Sequence, residues 1–79
     1  MNQEIKSSIL TFLANKLDSI PLRQVATHLN EDDHGKVLFF LEELQGEKPS
    51  LLSVMPLQNN AYAVAITSAG RKFVYGEKQ

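Results

Sequence analysis

The chain has 79 residues, of which 43% are hydrophobic and 22% charged. These are the proportions of a folded globular protein, and a chain this short buries about 60% of its unfolded surface in one modest core. The absence of cysteine removes disulfides, thiolate metal sites and cysteine nucleophiles together and makes a reducing cytoplasm the default expectation, while a net charge of −1 gives no bulk attraction to phosphate or anionic lipid.

One domain is expected over 1–79, with its core over about 3–75. The longest apolar runs are short, such as Val37 to Leu41, and no basic stretch precedes an apolar segment at the start of the chain. Neither a membrane span nor a signal peptide is therefore expected. From Gln3 to Leu17 the residues Ile5, Ile9, Leu10, Phe12, Leu13 and Leu17 form one broad apolar stripe at helical spacing, which predicts a first helix. Ile20 is biased toward an extended conformation by Pro21, and Pro21 itself suits the first turn of a second helix. That helix carries Leu22, Val25, Ala26 and Leu29 on one face, with Asn30 as a left-handed terminator.

Glu31, Asp32 and Asp33 precede a third helical pattern, where carboxylates cap free amides and offset the helix dipole. Its inner stripe is Val37, Phe40, Leu41 and Leu44, and it stops near Gly46 and Pro49. Leu51 to Leu57 and Ala61 to Thr67 read as strands of a β-hairpin joined through Gln58, Asn59 and Asn60. In the second strand Tyr62, Val64 and Ile66 make a bulky face opposite three alanines, and burial is expected to follow the bulky side. Pro56 places the first strand at an edge or in a bulge at that point. Thr67 or Ser68 then caps a short final turn with Arg71, Phe73 and Val74.

Three helices followed by a hairpin, an α+β arrangement, resemble a winged helix-turn-helix domain over roughly Ile5 to Val74. The resemblance is carried by Pro21-Leu22-Arg23-Gln24-Val25-Ala26-Thr27-His28-Leu29 as the second helix and Val37-Leu38-Phe39-Phe40-Leu41-Glu42-Glu43-Leu44 as the third. Ile66-Thr67-Ser68-Ala69-Gly70-Arg71, leaving the hairpin, is similar to the strand, threonine, glycine and basic-residue ending of bacterial winged-helix regulators. The resemblance implies DNA binding, usually as a dimer, with the third helix in the major groove and the wing on the backbone. Some members of the family bind proteins instead.

Charge points toward that second mode. Between Glu31 and Glu47 six acids face one base, Lys36, a local charge of −5 in a chain of −1. Such a helix laid against phosphates adds repulsion where counterion release should drive binding. On a helical wheel Asp32, Gly35, Lys36, Phe39, Glu42 and Glu43 lie opposite the core, and an exposed Phe39 beside Leu38 suits a protein anchor. The expected function is therefore a regulatory module that contacts a protein partner or a second copy through Asp32, Lys36, Phe39, Glu42 and Glu43. The alternative is a DNA-binding transcriptional regulator using Arg23, Gln24 and Thr27 of the second helix with Lys48, Asn59 and Asn60 of the wing. The remaining bases, Lys6, Lys16, Arg71, Lys72 and Lys78, are dispersed and form no dense patch.

No catalytic chemistry is expected. His28 and His34 are spaced across a turn and cannot share one helix face as metal ligands. The glycines at 35, 46, 70 and 76 are too scattered for a phosphate-cradling loop, and no nucleophile sits on a recognisable elbow beside a base. A domain of this size also leaves little room for an enclosed substrate pocket, so neither a cofactor nor a small-molecule substrate is expected.

Overall fold

The computed structural model describes residues 3–76; Lys78 lies outside them. The chain runs α1 (Gln3–Ala14), β1 (Ile20–Pro21), α2 (Leu22–Leu29), α3 (His34–Gln45), β2 (Leu52–Pro56), β3 (Tyr62–Ile66) and α4 (Ser68–Tyr75). The three strands form one antiparallel sheet in the order β1-β3-β2. Helix α1 contributes Ile9, Leu10 and Leu13 to the core, α2 Leu22, Val25 and Ala26, and α3 Val37, Leu41 and Leu44. Leu51, Leu52 and Val64 close the core from the sheet side. Each fully buried aliphatic side chain in this set contributes about 1.5–3 kcal/mol relative to exposure.

The helix boundaries follow from local chemistry. Pro21 (φ −67°, ψ 147°) is the extended residue before α2, and Asn30 ends it in the left-handed region at φ 56°, a conformation asparagine adopts more readily than most residues. Asp33 caps α3, its Oδ1 accepting the Lys36 amide at 3.2 Å. Thr67 caps α4 in the same way, its Oγ1 accepting the Gly70 amide at 3.1 Å.

Four expectations need correction. Helix α1 stops at Ala14, and Leu17 is 95% exposed rather than part of the apolar stripe. The reason is distant in sequence: the Arg71 guanidinium donates to the Ala14 carbonyl (2.9 Å) and the Lys16 carbonyl (3.2 Å), satisfying the helix end there. Pro21 is not the first residue of α2 but half of β1, with Ile20 opposite Val64 and Pro21 opposite Ala63. Burial in β3 does not follow the bulky face alone, because Ala63 is buried beside Val64 while Tyr62 and Ile66 are half-exposed. The strand is central, between β1 and β2, and α1, α2 and α4 all pack against it. The final turn is the two-turn helix α4, which packs on α1 and β3.

The hairpin β2–β3 keeps the expected edge placement of Pro56, opposite Tyr62. Its tip turns through Asn59 (φ 61°) and Asn60 (φ 60°). No charged residue occurs from Leu51 to Gly70, so the whole wing is electrically neutral.

Candidate nucleic-acid interface

The structure brings three separated segments to one crevice of about 370 Å³. Arg23 comes from the first turn of α2, His34 and Gly35 from the first turn of α3, and Asn59 and Asn60 from the wing tip. Pro21, Leu22, Leu38, Ala61 and Tyr62 complete a largely apolar lining. None of the lining residues is a carboxylate. Arg23, His34, Asn59 and Asn60 are exposed, so their donors are available to an incoming acceptor.

The other residues singled out from the sequence fall elsewhere. Gln24 and Thr27 share a shallower depression with Arg23, Phe12 and His28. The Thr27 hydroxyl donates to the Arg23 carbonyl at 3.0 Å. Lys48 lies in the loop after α3, before the cis Lys48–Pro49 peptide, and does not line the crevice. Lys36, Phe39, Glu42 and Glu43 are on the exposed side of α3, and Asp32 is exposed in the loop before it. Phe39 is 57% exposed, its ring 6.5 Å from that of Phe40 and tilted against it.

The sequence missed His34, Gly35, Ala61 and Tyr62 as members of one surface. The available signal was position: His34 directly follows the Asp33 cap and therefore stands in the exposed first turn of α3. His28 is occupied differently, its ring stacked on Phe12 at 4.2 Å with Nε2 2.9 Å from the Ser8 hydroxyl. Lys16 lies over the same phenyl ring at 4.6 Å. Among the described residues no group of three or more His, Asp or Glu is placed to hold a metal ion, and no helix is long and apolar enough to cross a membrane.

No protein-family model matches the chain, and no curated protein matches it. Solved structures do. CouR from Rhodococcus jostii RHA1, in a crystal structure bound to p-coumaroyl-CoA, superposes with a TM-score of 0.78 at 18% identity over 98% of this chain. A transcriptional regulator (MarR family) from Rhodococcus sp. RHA1 superposes with a TM-score of 0.76 at 19% identity over 94% of it. The fold is a winged helix. The chain spans about half the length of both neighbours, 51% of each. Within the winged helix, α2 and α3 form the helix-turn-helix and β2–β3 the wing.

This likeness overturns the preference for a protein partner or a second copy on the outer face of α3, together with the claim that its acidity weighs against DNA. Summing charge along the sequence ignored where the carboxylates go. Glu31 accepts the Asp33 amide at 3.2 Å and faces the Lys36 ammonium at 3.8 Å, and Asp33 is the helix cap. Glu47 is 2.9 Å from Lys6 on α1. Glu42 stands about two turns beyond His34, roughly 12 Å along the helix axis, which exceeds the Debye length of about 8 Å at physiological salt. Glu31 and Glu47 thus face cations, Asp33 is committed to the helix cap, and Glu42 is screened from the first turn of α3.

Proposed function

We propose that this winged helix binds duplex DNA as the contact module of a transcriptional regulator and performs no catalysis. The first turns of α3 address the major groove, with Arg23 of α2 and Asn59 and Asn60 of the wing contacting the backbone to either side. One observation carries this: α2, α3 and the wing tip converge on a surface with a guanidinium, an imidazole and two amides and without a carboxylate. The fold shared with a transcriptional regulator supports it. Gln24 and Thr27 flank this contact on α2, and Lys36 adds a cation in the first turn of α3; Lys48, displaced from the crevice, is assigned a peripheral role at most.

Arg23 and Lys36 neutralise two phosphates in this arrangement. At about 0.9 counterions released per phosphate, log K should fall against log salt with a slope of roughly −2. Fluorescence anisotropy of a labelled random-sequence 20-bp duplex, titrated with the protein between 20 and 200 mM KCl (an assay range chosen as roughly spanning the screened and unscreened regimes), measures it. Undetectable binding at the lowest salt would contradict the proposal.

A further inference from the structure

We infer that Phe39, on the outward face of α3, reads the C5-methyl group of thymine in the major groove and gives the domain a preference for A·T-rich duplexes. The inference rests on the DNA-binding role proposed above; it adds to that role a base feature and the residue that selects it.

The side chains on that face decide which base features lie within its chemistry. Val37, Leu41 and Leu44 are buried in the core, and Phe40 packs against it. At about 100° per residue, Gly35, Phe39 and Glu42 then point away from the core, with Lys36 and Glu43 on the flank. Each base pair shows the major groove a distinct set of acceptors and amino donors, and thymine alone adds a methyl group. Reading the purine acceptors O6 and N7 takes a hydrogen-bond donor, and the centre of this face has none. Gly35 has no side chain, Phe39 no polar atom, and the Glu42 carboxylate only accepts. Lys36 faces Glu31 at 3.8 Å from the flank and is assigned to phosphate. The thymine methyl is the one groove feature that an apolar ring matches, whereas a G·C pair offers it nothing to cover.

Phe39 also has the position for this contact. It is 57% exposed while Phe40 beside it turns inward, so much of the ring is open to an incoming surface. Gly35 lies one turn earlier on the same face, and a Cβ placed there would meet a single neighbour, Asp33 Oδ1 at 3.3 Å. The helix surface before Phe39 is therefore bare. Helical side chains lean toward the helix N-terminus, which carries Phe39 over this bare turn and toward the part of α3 that addresses the groove. An exposed aromatic ring with no place in the core thus gains an apolar partner when the duplex is bound.

Two duplexes and one variant of the full chain test the inference by anisotropy at the lowest salt of the titration above, with far-UV circular dichroism as the folding check. One duplex contains only A·T pairs. The other is identical except that uracil replaces thymine, which deletes the C5-methyl and leaves every hydrogen-bonding group in place. The unmodified chain should bind the thymine duplex about fourfold more tightly than the uracil duplex, the effect of taking one methyl group out of water. Phe39→Ala, a change at an exposed position, should bind the two duplexes alike, because the ring that senses the methyl is gone. Equal affinity of the unmodified chain for the two duplexes overturns the inference without recourse to any variant, and so does a thymine preference that survives in Phe39→Ala; in both cases DNA binding itself stands. If the unmodified chain binds neither duplex, the DNA-binding reading fails and the inference falls with it.

Discussion

Gly70→Ala should destabilise the protein severely, although it adds one methyl group in a good helix-forming context. Gly70 is buried in the first turn of α4, pressed against the chain at the start of β2. An added Cβ would lie 2.0 Å from the Leu51 carbonyl oxygen and 2.6 Å from Ile66 Cγ1. The first contact is with backbone, so no rotamer change relieves it; α4 must move off the sheet. That movement strains two hydrogen bonds joining the same elements, from the Thr67 amide to the Leu51 carbonyl at 3.2 Å and from the Thr67 hydroxyl to the Ser50 carbonyl at 2.6 Å. Overpacking costs about 1–3 kcal/mol and each weakened bond about 1 kcal/mol, giving roughly 3–5 kcal/mol in all. For a domain of this length that corresponds to a fall in Tm of at least about 12 °C. Urea and thermal unfolding followed by circular dichroism measure both quantities. Gly46→Ala is the control, because its Cβ would meet the Glu42 carbonyl at an ordinary 3.4 Å and its φ of −78° suits alanine. It should be neutral or stabilising by up to about 1 kcal/mol. A Gly70→Ala protein within 0.5 kcal/mol of the parent, roughly the spread of inconsequential surface changes, would refute the close approach of α4 to Leu51.

Three other substitutions probe the supports of the site. Asp33→Ala removes the α3 cap and should cost about 1 kcal/mol in urea unfolding, with hydrogen exchange quickening first at the Lys36 amide it bonds. Arg71→Gln loses the fork onto Ala14 and Lys16 and should cost about 2 kcal/mol, since bonds from a charged donor exceed neutral ones; Arg71→Lys should recover less than half, because an ammonium does not reproduce the fork. A double-mutant cycle on Lys6 and Glu47, whose charges meet at 2.9 Å, should return a coupling of about 0.2–1 kcal/mol that shrinks with salt. Lys6→Ala should cost more than Glu47→Ala, because Lys6 also sits 4.9 Å from the Phe73 ring centroid.

Features governed by neighbours in sequence were legible before the structure. The left-handed Asn30, a carboxylate cap among Glu31, Asp32 and Asp33, a hydroxyl cap at Thr67 or Ser68 and the outward Phe39 all follow from turn chemistry or from helical spacing, which act within a few residues. What the sequence hid was set by distant partners. Leu17 continues the apolar spacing of α1, yet the helix ends earlier because Arg71 reaches it from α4. Two residues, Ile20 and Pro21, carry no periodicity, so β1 is recognisable only by its pairing with Val64 and Ala63. The acidic window around α3 misled for the same reason: a linear sum of charge cannot register that Glu47 is held by Lys6 or that Glu31 faces Lys36. The crevice likewise joins Arg23, His34 and Asn59, whose proximity arises only when the wing folds back beside the two helices.

Amide chemical shifts of the labelled protein titrated with duplex DNA at low salt address the central claim most directly. The account predicts that the largest changes fall at Arg23, His34 through Leu38 and Asn59 through Tyr62, with α1 and the end of α3 nearly still. Changes confined to Glu42 through Gln45 and α1, or no changes on adding DNA, would contradict it.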